Sequence, residues 1–411
     1  MSPDDGTNAM EEFGNAAGAP LAPIAVAAYT LTSALGAGLG NMRESLRADR
    51  GGLSPEPWPD CAVDCQLGRV DLGAESAPAA QIAAERDSRN NRTIALALEQ
   101  DDFCQSVVAA IARFGAPRVG LVMGTSTSSI DRTETAYKAL DAAERFPLDM
   151  RQPLTHNPHA PGDFVAAQLG IGGPRLTISA ACASSAKVFA TAQRWLHQGL
   201  VDAVVVGGAD SLCLSVIYGF HSLQLVAPEA CRPFDINRSG ISLGEAAGFA
   251  LLTADLSQGE CQLLGTGESC DAYHMSSAHP EGLGARLSMQ RALASANLKM
   301  RDIDYLNLHG TGTRANDATE GSVCAQLLDS HTLASATKSW TGHTLGAAGI
   351  VEAVLCLDAL TTGFVPGTRN TTDVEADFSL LLDSQQASVR TALSNSFGFG
   401  GNNCSVVFGK A

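Results

Sequence analysis

The chain has 411 residues, enough to bury a sizeable core, and its 45% hydrophobic and 17% charged content is that of a globular protein. A formal net charge of −16 argues against nucleic acid or an anionic membrane as the main partner. No run of about twenty apolar residues is present to span a bilayer, and the acidic start Met1-Ser2-Pro3-Asp4-Asp5 lacks a signal peptide's basic n-region, so a cytoplasmic location is expected. The 11 cysteines are scattered and odd in number, which fits reduced thiols. Cys61 and Cys65 are the closest pair and have no companion pair, so no metal site is expected.

Residues 1–20, rich in Gly, Ala, Asn and acid, read as a disordered tail. From Ile24 onward short apolar runs alternate with helical stretches. Strands are expected at 118–123, 176–179, 203–206, 248–252, 261–264, 305–308, near 394 and at 404–408. Helices are expected at 184–198, 284–296, 318–328 and 347–360. Such alternation indicates an α/β protein with largely parallel sheets. A coarse duplication shows: strand, turn, reactive residue and helix surround Cys182, and strand 305–308 with His309 and a later helix plays a comparable part. No composition break marks a linker, so the two halves are expected to share one body.

Reactive side chains stand in settings of small residues. Cys182 follows an apolar strand in Ser179-Ala180-Ala181-Cys182-Ala183-Ser184 and precedes a helix, whose dipole and free N–H groups would favour a thiolate. A free cysteine is more often inert, but the other ten lack this context. His309 ends a strand and opens His309-Gly310-Thr311-Gly312-Thr313, where Thr311 and Thr313 can hydrogen-bond an amide-bearing arm. His343 sits before the small-residue helix start Leu345-Gly346-Ala347-Ala348-Gly349. Two histidines at glycine-framed strand ends beside a primed cysteine point to catalysis. Lys338 with Asp317 or Glu320 can hold both imidazoles and set their protonation. The Gly398-Phe399-Gly400-Gly401 turn can aim backbone N–H groups at a thioester oxygen. Arg86, Arg89 and Arg92, spaced three apart, can share a helix face and form a local basic patch.

These motifs resemble the β-ketoacyl-[acyl-carrier-protein] synthases of the elongating Cys-His-His type, in the thiolase-like superfamily. The likeness runs from about Ile24 to Phe408 and includes Arg232-Pro233-Phe234-Asp235, Asp271-Ala272-Tyr273-His274-Met275, Thr337-Lys338-Ser339-Trp340-Thr341-Gly342-His343 and Asn395-Ser396-Phe397-Gly398-Phe399-Gly400-Gly401. It implies a thiolase-like five-layer αβαβα fold of two similar halves, 21–255 carrying Cys182 and 256–411 carrying His309, Lys338 and His343. Cys182 would take an acyl chain from the phosphopantetheine of an acyl carrier protein, with no other cofactor. Malonyl-carrier would then enter past Thr311 and Thr313, with Phe397 and Gly400 also contacting substrate. His309 and His343 would promote decarboxylation, Lys338 would order the site through Glu320 and its neighbours, and Phe399 would share the oxyanion site with the Cys182 N–H and act as a gate. Arg86, Arg89 and Arg92 would dock the acidic carrier. The partner would be a second copy or a related ketosynthase-like subunit.

Departures from the pattern are Trp340 in place of a smaller apolar residue, Ala246 where glycine is usual, and Thr127 at the expected gate to the acyl pocket. Thr127 points toward a specialised pathway, such as one to a polyene or polyketide-like product, rather than housekeeping fatty acid synthesis. A thiolase would want a second cysteine where Phe399 stands, and acyl-CoA priming synthases pair the cysteine with one histidine and an asparagine. A chain-length-factor-like subunit would keep the fold and lose Cys182.

Overall fold

The computed structural model describes residues 21–73, 82–150 and 154–411. The tail expected over 1–20 lies outside them. The chain lays down ten principal strands: β1 (Ile24–Ser33), β2 (Val119–Gly124), β3 (Arg175–Ile178), β4 (Ala203–Asp210), β5 (Ala246–Thr253), β6 (Cys261–Cys270), β7 (Tyr305–Asn307), β8 (Leu333–Ser335), β9 (Thr391–Gly398) and β10 (Asn402–Lys410). Each expected strand is present. β4 and β5 are buried along their whole length, as continuous apolar runs such as Ala203-Val204-Val205-Val206 require of strands covered on both faces. β6 alternates buried and half-buried positions, the period of a strand with one wetter face.

The spatial order is β8-β7-β9-β10-β6-β1-β5-β4-β2-β3, with the two-residue strand Gly36–Ala37 appended to β1. Each half therefore repeats one topology: third strand, second, fourth, fifth, first. Pairing directions repeat too. β2 runs parallel to β3 and β4, as β7 does to β8 and β9. β5 and β10 are antiparallel to both of their neighbours. Only Ile24, Ala25 and Val26 of β1 pair with β6, so this short register joins the halves.

This topology corrects one expectation. Cys182 follows β3, the third strand of its half, and precedes helix α1 (Ser184–His197). Its topological counterpart is His343, which lies between the third strand β8 and helix α2 (Ala348–Thr362). His309 follows a second strand and matches instead the loop after β2. The duplication is one of path rather than of residue identity, so similar-looking loops misled the sequence comparison.

Helices α1 and α2 cross at the centre of the molecule. Their residues, among them Phe189, Ile350 and Val354, share one core cluster with residues of both halves of the sheet. Leu345–Thr362 is long and apolar enough to cross a membrane, yet 89% of it is buried inside the molecule, which makes it a core helix. The crossing is tight because Gly349 has no side chain: a Cβ there would lie 2.4 Å from the Ala186 backbone nitrogen. Gly349→Ala should therefore cost about 1–3 kcal/mol through overpacking. Urea unfolding checks this; an unchanged midpoint would show that the helices can separate freely.

Candidate active site

Cys182, His309 and His343 converge: one ligand atom from each lies within 4.8 Å of the others, and all three residues are buried. The turn holding Cys182 is strained, with Ala181 at φ +48°, a region that L-residues rarely occupy. Ser184 locks it, donating to the Ala181 carbonyl at 2.6 Å and accepting from the Ala180 N–H at 2.8 Å. Above the three lies a cavity of about 530 Å³ that Thr311, Thr313, Phe397 and Phe399 also line.

Hydrogen bonds fix the protonation of both imidazoles. The Lys338 ammonium has three donors and three acceptors: the Glu352 carboxylate, the His309 carbonyl at 2.6 Å and His309 Nδ1 at 3.2 Å. An ammonium cannot accept, so Nδ1 of His309 holds a lone pair and Nε2 carries the hydrogen. On the other ring, the Leu345 N–H donates to His343 Nδ1 at 3.1 Å, and Nε2 stands 3.0 Å from Cys182 Sγ. His343 is thus also an Nε2–H tautomer, donating to the sulfur. Leu345 pays for that placement with φ +57°. Burial first, then the Lys338 charge, holds both histidines well below the usual imidazole pKa, so both stay neutral at pH 7. In this state the set offers hydrogens rather than lone pairs to whatever enters.

The carboxylates divide the work differently from the sequence expectation. Glu320 does not serve Lys338; its two oxygens accept from the backbone N–H groups of His309 at 2.9 Å and Gly310 at 2.8 Å. Asp317 holds the next stretch, accepting from the N–H groups of Thr311, Gly312 and Phe234. Glu352 is the true partner of Lys338, and burial raises its carboxyl to about 7 against the pull of that lysine. A lone glutamate inside an otherwise apolar helix turn, Gly349-Ile350-Val351-Glu352-Ala353-Val354, was the available signal.

The expected thiolate is also corrected. Burial pushes the Cys182 thiol up to about 11, although Lys338 and the N–H groups of Phe399 and Cys182 itself oppose the shift. A resting thiol follows, because burial penalises the anion more than these dipoles favour it. The Gly398-Phe399 turn is pressed against the cysteine turn: a Cβ on Gly398 would fall 2.7 Å from the Ala180 carbonyl. Phe399 packs on Phe220 of helix Leu214–Ser222, ring centroids 5.9 Å apart, a contact with no sequence signal.

Other expected residues lie elsewhere. Gly400 is not part of the cavity lining and ties its N–H to the Met275 carbonyl at 2.8 Å. Thr127 is also absent from that lining; its hydroxyl donates at 2.9 Å to Asp210, a fully buried carboxylate that Thr125, Ser126 and Gly346 also satisfy. The three arginines do not form a shared helix face. Arg86 ends a 3₁₀ turn ahead of helix Arg89–Leu98, Arg89 is paired with buried Glu245, and Arg92 is paired with Asp87. Trp340 is fully buried, donating to the Gly367 carbonyl at 2.6 Å with the Arg369 guanidinium 4.7 Å from its ring centroid.

Family models agree with this geometry. Residues 22–257 match the N-terminal domain of the beta-ketoacyl synthases, and residues 260–372 match their C-terminal domain. The chain belongs to the beta-ketoacyl synthase family. Nodulation protein E of Rhizobium meliloti (strain 1021) is 33% identical over 304 residues, covering 71% of this chain and 75% of the relative. The 3-oxoacyl-[acyl-carrier-protein] synthase 2 of Vibrio harveyi is 34% identical over 324 residues, covering 73% of this chain and 77% of the relative. Among solved structures, a chain of the complex of the ketosynthase ApeO with its chain length factor ApeC from Xenorhabdus doucetiae is 38% identical with a TM-score of 0.85. That match covers 95% of this chain and 98% of the matched chain.

Because the thiol rests protonated, iodoacetamide should alkylate Cys182 slowly at neutral pH, rising about tenfold per pH unit through pH 9 as the thiolate fraction grows. Peptide mass spectrometry on Cys182 reads this directly. A rate already flat with pH above 6 would contradict the resting thiol.

Proposed function

We propose that this chain is a condensing ketosynthase that joins an acyl group held on Cys182 to a malonyl unit carried by an acyl carrier protein. The observation that carries the reading is the pair of neutral imidazoles, both locked as Nε2–H donors, beside a buried cysteine. In the first half-reaction, Sγ attacks the carrier-bound thioester carbonyl. The oxyanion rests on the N–H groups of Cys182 and Phe399, the two amides that already act on the sulfur. The carrier thiolate leaves, and the thiol proton goes to it.

In the second half-reaction the malonyl thioester lies in the cavity along Thr311, Thr313 and Phe397. Its C–C bond to the carboxylate breaks, CO₂ leaves, and the electron pair moves to the thioester oxygen. Two Nε2–H donors meet that charge, where a dry site makes them worth most. The enolate carbon attacks the acyl-Cys182 carbonyl, the C–S bond breaks, and the released sulfur takes a proton from solvent. Lys338, fixed by Glu352, keeps His309 a donor, while Glu320 and Asp317 hold the loop that carries it. No group beyond the phosphopantetheine arm is needed, and the acyl chain is of fatty-acid or polyketide type.

The partner would be a second copy or a related ketosynthase-like subunit. The edge strand β3 supports this: it ends the sheet, and its Leu176 is 40% exposed. We place the reaction in the cytoplasm. A chain-length-factor-like role without chemistry of its own is disfavoured, since the complete network around Lys338 would then have no use.

Mass spectrometry of intact protein separates the half-reactions. His343→Ala should still gain an acyl mass on Cys182 from an acyl-carrier, yet condense with malonyl-carrier about 10²–10³-fold more slowly. Normal elongation by this variant would remove His343 from the mechanism, and an acyl adduct on Cys182→Ala would remove the nucleophile.

A further inference from the structure

The wall from His309 to Arg314 climbs out of the cavity. His309 is 2% exposed and Thr311 6%, Thr313 is half-buried and Arg314 is exposed. All four line the cavity, which therefore runs from two imidazole donors, past two hydroxyls bonded to each other at 2.9 Å, to a guanidinium at the rim. Arg314 is the sole lysine or arginine among the described lining residues. Its backbone is held, since Arg238 donates to its carbonyl at 3.4 Å, but no carboxylate of the described residues pairs with its side chain.

Two arginines next to this loop are spent on acids, Arg232 on Glu229 and Arg238 on Glu375. The one acid of the lining, Asp271, is itself satisfied, accepting from Asn403 Nδ2 at 2.6 Å and from the His279 N–H at 2.8 Å. A chain with net charge −16 thus keeps an unpaired guanidinium at the entrance of its reactive cavity. A planar fork of N–H donors suits a tetrahedral oxyanion, which it can grip through two parallel hydrogen bonds.

We propose that Arg314 binds the phosphate of the phosphopantetheine arm while the thioester at the arm's other end reaches Cys182. This rests on the ketosynthase reading above and adds an anion contact to it. The three tiers of the wall then match the three parts of the arm: thioester oxygen on the Nε2–H donors, amides on the threonines, phosphate on Arg314. The phosphate could belong to a carrier protein or to coenzyme A, and the chemistry at Arg314 is the same for both.

The test compares hexanoyl-pantetheine with its 4′-phosphate as acyl donors to Cys182, following the adduct by mass spectrometry. Neither donor has a protein surface, so docking does not enter. The wild-type chain should favour the phosphorylated donor in kcat/KM by about five- to tenfold, as expected for a charge-assisted pair at an exposed rim. Arg314→Ala should lose that preference, Arg314→Glu should reverse it, and Arg314→Lys should keep part of it. A preference that survives in Arg314→Ala, or is missing from the wild type, overturns the proposal while leaving the ketosynthase reading intact. If no thioester, carrier-bound or free, acylates the wild type, the reading itself falls and takes this inference with it. Hexanoyl-coenzyme A and hexanoyl-carrier run in parallel identify the source: a loss in Arg314→Ala confined to the carrier donor assigns the rim to a carrier phosphodiester, and equal losses assign it to the arm's own phosphate.

Discussion

One buried ammonium sets the state of the whole site. Lys338 is 2% exposed, and its three hydrogens go to the Glu352 carboxylate, the His309 carbonyl and His309 Nδ1. Burying a charge is costly unless it is paired and fully bonded, and here it is both. Two consequences spread from it. The contact at Nδ1 forces His309 to present Nε2–H to the cavity, and the positive charge adds to burial, the larger cause, in keeping both imidazoles from taking a second proton. Leu345 completes the pattern by donating to His343 Nδ1. A Cys182 thiolate facing a His343 imidazolium would need a hydrogen on that same Nδ1, in direct conflict with the Leu345 N–H.

The fold supplies the convergence. Two copies of one strand topology put their third strands at opposite edges of the sheet, and the helices that follow them, α1 and α2, pack into one shared core cluster. One copy delivers Cys182 at its strand-to-helix junction and the other delivers His343, so the two face each other across the contact of α1 with α2. His309 enters from the neighbouring strand β7. The close approach at Gly349 keeps the helices, and hence the two junctions, near each other. Local strain sits where the chemistry is, with left-handed φ at Ala181 and Leu345, each beside a reacting residue.

Much of this was legible beforehand. Strand and helix positions followed from apolar runs bounded by small residues, and Cys182, His309 and His343 stood out through their glycine and alanine frames. What stayed hidden was long-range pairing. The sequence offers Asp317 and Glu320, on the helix after His309, as acids for Lys338, whereas Glu352 reaches it from the helix that follows His343. The Arg86, Arg89, Arg92 spacing suggested a shared helix face, but the helix begins only at Arg89, and two of the three carry acid partners. Thr127 was read by position alone, while Asp210, from the end of β4, captures its hydroxyl. The thiolate expectation counted the helix end and neglected burial, the larger effect in so closed a pocket.

The central claim is a claim about hydrogens, so neutron diffraction at neutral pH tests it most directly. Deuterium should appear on Nε2 of both His309 and His343, on neither Nδ1, and on the Cys182 sulfur, with Lys338 triply deuterated. A doubly protonated His343 opposite a bare Cys182 sulfur would contradict the account, replacing a pair of neutral donors with an ion pair.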